Sequence, residues 1–286
     1  MDADWRALNF TAAPDYRAAS RHHDAFIEIL QSAAPVHVID RSPEGLTLDA
    51  IYVRDGSIVT PRGAILCRMG KAARQSEPGA LAEEYTSLGV PILGTIKPPG
   101  QFEGGDFTWL GPRVAAVGRG YRTNTAGIEQ LRALLAGDVD ELIVVPLPHY
   151  RGPDDVFHLM SIVSPVDRDL AVVYSPLMPV PFRQRLLDLG FTLVEVPDDE
   201  FETMGANVFA MAPRRAVMVG GNPKTRAALE RAGADVAVYD GSEISAKGCG
   251  GPTCLTRPLP SAVEQGIGAG RHACITSHHN GASGST

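Results

Sequence analysis

Phe102-Glu103-Gly104-Gly105-Asp106-Phe107 sets two carboxylates around a glycine pair, between two aromatic residues. Taken by itself the stretch is a turn between strands. Buried acids are costly unless paired, so carboxylates amid aromatic rings also point to a cationic partner. Glu103 is the second of five marks in or beside strand-like segments: Asp55, Glu103, His158, Asn207 and Cys254. The intervals between them are 48, 55, 49 and 47 residues. A near-constant period predicts one supersecondary unit repeated about a centre, each copy delivering a residue to a shared axis. On spacing alone, coincidence among many polar residues is the rival reading.

Outward from these marks, strand-like and helix-like stretches alternate. Strands are predicted over Pro35–Ile39, Ile51–Ile58, Ala64–Cys67, Val114–Val117, Glu141–Val145, Asp169–Tyr174, Ala206–Met211 and Ala216–Gly220. Amphipathic helices are predicted over Arg21–Gln31, Glu77–Leu88, Thr125–Leu135, Pro181–Leu189 and Lys224–Ala232. Mixed alternation of this kind means an α/β fold. No linker divides the chain before about residue 260, so residues 1–260 are expected to form a single domain. Residues 261–286 are rich in Gly, Ser, Ala and His and are expected to be a largely disordered tail, including His278 and His279.

The chain has 286 residues, 44% hydrophobic and 21% charged, enough for a sizeable core. A net charge of -7 argues against a nucleic-acid partner held by phosphate contacts. It suits a small cationic substrate drawn to an acidic pocket. No apolar run approaches a membrane span, and the acidic start Met1-Asp2-Ala3-Asp4-Trp5 has no apolar core of a signal peptide. A cytoplasmic location is expected. Cys67, Cys249, Cys254 and Cys274 show no zinc-finger spacing, so no structural metal is expected.

Two motifs carry candidate chemistry. In Gly248-Cys249-Gly250-Gly251-Pro252-Thr253-Cys254-Leu255 a glycine-rich turn precedes Cys254. Glycines let backbone approach a ligand and bare amide donors that stabilise a thiolate, the reactive form of cysteine. A free structural thiol is the plainer reading, and Cys249 is the rival nucleophile. In Val156-Phe157-His158-Leu159-Met160-Ser161 a histidine sits in an apolar run, which alone suggests a satisfied core histidine. Asp49 and Asp55 lie in a strand-like stretch, where Arg54-Asp55 could equally be a surface pair.

Together these segments resemble the guanidino-group modifying superfamily: arginine deiminases, dimethylarginine dimethylaminohydrolases and arginine:glycine amidinotransferases. The resemblance runs from about residue 20 to Leu259 through EGGDF, GRGYRTN, FHLMS and GGPTCLTRPL. It implies a five-bladed, pseudo-symmetric α/β-propeller of repeated ββαβ-type units, in agreement with the spacing. It implies Cys254 as nucleophile, His158 as general acid and base, and Glu103 as the carboxylate that orients that histidine. Asp55 matches a guanidinium-binding carboxylate, Asp49 a nearby polar substrate contact, and Asp106, in the motif of Glu103, is expected as a further substrate-binding acid. Arg74 and Arg122 match two arginines that clamp the substrate α-carboxylate, which suits guanidinium–carboxylate fork geometry.

The activity so implied is hydrolysis of the guanidino group of arginine or an N-methylated arginine, with no metal or organic cofactor. An amidinotransferase or a non-catalytic amino-acid-binding module are the alternatives, and a homo-oligomer is left open. Two departures bear on substrate. Met160 stands where deiminases and amidinotransferases usually carry the aspartate of His-x-Asp, as in dimethylargininases, whereas Arg54-Asp55 looks like the deiminases. The family also usually opens with a strand and a substrate-touching loop, and no such strand is legible in MDADWRALNF. Either the first blade is built differently or the chain start is set late.

Overall fold

The computed structural model describes residues 4–39, 46–260 and 274–277. Helices α1 (Asp4–Ala7) and α2 (Tyr16–Gln31) lead into strand β1 (Val36–Ile39). A strand–strand–helix–strand unit then repeats four times. The first comprises β2 (Ser57–Thr60), β3 (Gly63–Leu66), α3 (Glu77–Ser87) and β4 (Ile92–Thr95), and the second β5 (Phe107–Gly111), β6 (Val114–Arg119), α4 (Thr125–Leu134) and β7 (Glu141–Pro146). The third comprises β8 (Val163–Asp167), β9 (Leu170–Val173), α5 (Val180–Asp188) and β10 (Thr192–Glu195). After the short α6 (Asp198–Phe201) comes the fourth, with β11 (Val208–Ala212), β12 (Arg215–Val219), α7 (Pro223–Arg231) and β13 (Asp235–Tyr239). Strands β14 (Arg257–Pro258) and β15 (Cys274–Ser277) follow.

In each of these four units the first two strands pair antiparallel through a tight hairpin, and the second pairs parallel with the third across the helix. The fifth sheet has the same plan but is assembled from both ends of the chain. β14 pairs antiparallel with β15, and β15 pairs parallel with β1, ahead of which lies α2. The middle position of this sheet, where the sequence shows no N-terminal strand, is therefore taken by Cys274–Ser277. These four residues fall in the stretch expected to be tail; its other positions, His278 and His279 included, lie outside the described residues.

Local chemistry sets the helix starts. The Asp15 side chain accepts the Ala18 N–H ahead of α2, and Asn124 accepts the Gly127 N–H ahead of α4. Pro78, Pro181 and Pro223 open α3, α5 and α7, where a missing N–H costs nothing. The apolar face of α2 buries Phe26 and Leu30 against Phe209, Val217 and Tyr239 of the fourth unit. Each such side chain contributes about 1.5–3 kcal/mol of burial. Among the described residues no helix is long and apolar enough to cross a membrane.

The units are arranged as in a propeller. First strands of all five sheets contribute Thr60, Phe107, Val163, Phe209 and Pro258 to one cavity of about 450 Å³. The five marks sit just ahead of these strands: Asp55 before β2, Glu103 before β5, His158 before β8, Asn207 before β11 and Cys254 before β14. The period read in the sequence is the period of this delivery. One expected strand is corrected. Ile51–Ile58 is not continuous, because a 3₁₀ turn over Leu48–Ile51 and a further turn precede Ser57. Buried Asp49, Arg54 and Asp55 take side-chain and backbone partners there that a ladder could not supply. Strands β4, β5, β8, β10, β13 and β14 were not legible as separate apolar runs.

Candidate active site

The five marked side chains fall into two groups, Glu103, His158 and Asp55 in one and Asn207 and Cys254 in the other. Glu103 is wholly buried, and its Oε2 lies 2.8 Å from Nε2 of His158. Asp55 Oδ1 lies 3.7 Å from the other ring nitrogen of His158. On the opposite side, Asn207 Nδ2 lies 3.6 Å from the Cys254 sulfur. Asn207 Oδ1 accepts from the backbone N–H and the hydroxyl of Thr253, at 3.0 and 2.9 Å. One amide thus fixes Thr253 and touches the Cys254 sulfur itself.

Glycines make these approaches feasible. A Cβ on Gly105 would collide with the His158 ring and with Asp55 Oδ1, and one on Gly251 would collide with the Asn207 amide. The acid-Gly-Gly-Asp and Gly-Gly-Pro-Thr-Cys elements are therefore requirements of close packing as well as of turn geometry. Arg54 braces the same loop: its Nε donates to the Thr253 carbonyl at 2.7 Å and its NH2 to Thr256 Oγ1 at 3.2 Å. It is buried, not half of a surface pair with Asp55.

Electrostatics separate the groups. Burial alone would lower the pKa of His158, but Asp55, Asp106 and Glu103 overcome it and raise it to about 9. Burial alone would raise Glu103, but the hydrogen bond and charge of His158, with Arg122 and Arg74, hold it down at about 2. At neutral pH the pair is an imidazolium–carboxylate. Burial first, and then the Asp55 charge, push the Cys254 thiol up, against smaller pulls from Thr253, Gly251 and Arg54. The resting sulfur is a thiol, and a cation arriving beside Asp55 would favour its ionisation.

The remaining expected residues are placed as follows. Asp106 Oδ1 accepts the Leu159 N–H at 3.0 Å, so this acid anchors the residue after His158; burial pushes its pKa up to about 6. Arg74, expected as a clamp on a substrate carboxylate, is engaged here by groups of the protein itself. Its guanidinium donates to Asp55 Oδ2 at 2.6 Å, to both oxygens of Glu77, and to the carbonyls of Asp49 and Tyr52. It orients Asp55 instead. Arg122 is held more loosely, 3.6 Å from Glu103 Oε1 and 3.4 Å from the Asp155 carbonyl. Asp49 is buried and paired with Lys71 at 2.6 Å. Met160 is buried and lines the axial cavity.

Sequence reasoning gave no role to Lys71, Arg54 or Asn207, though the period did mark Asn207. Nor did it foresee the segment Leu8–Thr11. Leu8 accepts from Lys71, Asn9 donates to the Asp154 carbonyl, and the Thr11 N–H donates to the Lys247 carbonyl. This segment thereby joins Lys71, the partner of Asp49, to the stretch at Lys247 that leads to Cys254. Asp55, Glu103 and His158 offer ligand atoms within 4.8 Å of one another, as a metal site would. Two of those contacts are already spent, Asp55 on Arg74 and Glu103 on His158.

Comparison with known proteins agrees with this geometry. A family pattern described as arginine deiminase matches residues 48–188. A dimethylarginine dimethylaminohydrolase of Streptomyces coelicolor is 29% identical over 85% of this chain and 86% of its own. The structure of a dimethylarginine dimethylaminohydrolase of Pseudomonas aeruginosa, a cysteine-to-serine mutant complexed with citrulline, superposes with a TM-score of 0.71. It is 26% identical and covers 87% of this chain and 94% of that one. An amidinotransferase of Microseira wollei shares the fold, with a TM-score of 0.68 at 17% identity, over 87% of this chain and 86% of that one.

Proposed function

We propose that this chain, which is similar to arginine deiminases and dimethylarginine dimethylaminohydrolases, is a cysteine-dependent hydrolase of the guanidino group of arginine-type substrates. The observation that carries this reading is the buried Glu103–His158–Asp55 ion cluster set beside the Cys254 loop. A guanidinium is a resonance-stabilised cation and a poor electrophile, so it must be held flat and its leaving nitrogen protonated.

Asp55 and Glu103 hold the cation, whose charge lowers the Cys254 pKa so that the thiol releases its proton to solvent water. The thiolate attacks the central guanidinium carbon and gives a tetrahedral adduct. His158, protonated at neutral pH, donates to the departing nitrogen, because an amide anion does not leave. Ammonia or a methylamine departs and a covalent thiouronium remains. Neutral His158 then takes a proton from water as that water attacks the same carbon. Collapse expels the thiolate and releases a ureido product, citrulline where the substrate is arginine or a methylated arginine.

The test is an assay for ureido product from L-arginine, its mono- and asymmetric dimethyl forms, and simpler guanidino acids. Product formation that is lost in Cys254→Ser is the expected result, by at least about 10³-fold. Product only when an amine is supplied as acceptor would replace hydrolysis with amidino transfer. No product of either kind from folded protein would overturn the proposal.

A further inference from the structure

Lys71 is the residue of this site with no role in the chemistry above, yet its placement is specific. Its backbone N–H donates to Glu103 Oε1 at 2.9 Å, so the residue is pinned to the acid that holds His158. Its side chain turns away from that acid. The ammonium donates to Asp49 Oδ2 at 2.6 Å and to the Leu8 carbonyl at 2.7 Å. The lysine and aspartate side chains are only 12% and 5% exposed. A buried carboxylate and a carbonyl aimed at one point, beside a guanidinium pocket, make a receptor for an ammonium group. The chain's own lysine fills it.

Resting on the hydrolase reading, we propose that Lys71 is a specificity-determining residue that excludes a substrate α-ammonium and selects guanidino carboxylic acids lacking a free α-amino group. A second ammonium brought to Asp49 would meet the first at short range in a dehydrated setting, where like charges repel strongly. The substrate would have to displace Lys71 and leave a buried ammonium without its carboxylate. A carboxylate meets no such barrier. Arg122, with its two long contacts, supplies positive charge beside Glu103. Arg74 does not compete for this duty, because Glu77 and Asp55 engage it.

The experiment compares kcat/KM for L-arginine and for des-amino-arginine, in which hydrogen replaces the α-amino group. Wild-type protein should favour the des-amino acid about tenfold or more, and Lys71→Ala should shift the ratio of the two by at least about tenfold toward L-arginine, the scale of one charge-assisted hydrogen bond. Lys71→Met, which keeps the apolar stem, serves if the alanine variant fails to fold. A merely structural lysine would change melting temperature and leave the ratio still. An unmoved ratio, or a wild-type preference for L-arginine, overturns the proposal. Absence of turnover with both compounds would count against the hydrolase reading instead. Calorimetric binding of the same two compounds to Cys254→Ser, with and without Lys71→Ala, then decides the role of the lysine without catalysis.

Discussion

Three units of the molecule deliver ionisable side chains to the site, and two deliver an amide and a thiol. In the charged part, Asp55, Glu103 and His158 hold one another at 2.8 and 3.7 Å, with Arg74 locked on Asp55 from behind. In the uncharged part, Asn207 and Cys254 sit 3.6 Å apart, and the Cys254 loop comes this close to Asn207 because residue 251 is glycine. Both parts are dehydrated. In the first, opposite charges overcome burial at Glu103 and His158, so that pair stays ionised at neutral pH. In the second, burial and then the Asp55 charge outweigh the smaller pulls of Thr253, Gly251 and Arg54, so its sulfur stays protonated until a cation comes. The difference divides the work: one part is permanently charged to hold and protonate, the other becomes charged only with substrate.

The strongest way to break that contrast is to neutralise the charged part. Glu103→Gln should lower kcat by about 10²–10⁴, the usual worth of a positioned acid–base group. It should also change the pH profile. His158 is raised above its ordinary 6.5 to about 9 partly by Glu103, so its proton is present below about 9 and lost above. Removing the carboxylate leaves Asp55 and Asp106 alone to oppose burial, so the alkaline limb should move below about 9. The same raised pKa stabilises the fold fully below 6.5, and that contribution is lost as pH rises through about 9. An alkaline limb that stays put in Glu103→Gln would show that another group sets it.

The converse is to charge the uncharged part. Asn207→Asp places a carboxylate 3.6 Å from the sulfur, at the position of the present amide nitrogen. A like charge raises the thiol pKa further, so alkylation of Cys254 at neutral pH should slow about tenfold or more. Asn207→Ala instead removes two hydrogen bonds to Thr253 and should cost about 1–3 kcal/mol, read by denaturant melting. Alkylation as fast in Asn207→Asp as in wild type would mean that the amide does not sense the sulfur.

How much of this was legible in the sequence follows the same division. Chemically distinctive residues in short motifs, Glu103, His158, Cys254 and the glycines beside them, could be read directly. Their common period foretold that the fold would bring them to one axis. What could not be read was pairing between side chains remote in the chain. Arg74 looks like a free cation until Glu77 and Asp55 are seen around it. Lys71 carries no motif, and its importance lies in where Leu8 and Asp49 place their oxygens. Short strands such as Ile92–Thr95 and Thr192–Glu195 were hidden because a third strand at a sheet edge is half exposed, with no continuous apolar run. Strand β15 was hidden by its surroundings, since four residues among Gly, Ser and His do not announce a strand.

That strand offers the mildest test of the contrast, because it touches the thiol part through the backbone alone. β14 begins just after Cys254 and is held by β15, which is held in turn by β1. Thr276→Pro removes an N–H from the middle strand of this sheet and forces its φ, a change that costs about 3 kcal/mol or more in a helix or a sheet interior. The other four sheets are contiguous in sequence and carry Asp55, Glu103, His158 and Asn207, so they should be spared. The expected outcome is a melting temperature lower by about 5 °C or more, with activity down only about threefold and the alkaline limb still near 9. A limb that moved together with the melting temperature would mean that the charged part leans on the fifth sheet for its geometry. A melting temperature that did not move would mean that β14 and the Cys254 loop are held by Arg54 and Asn207, with little contribution from β15.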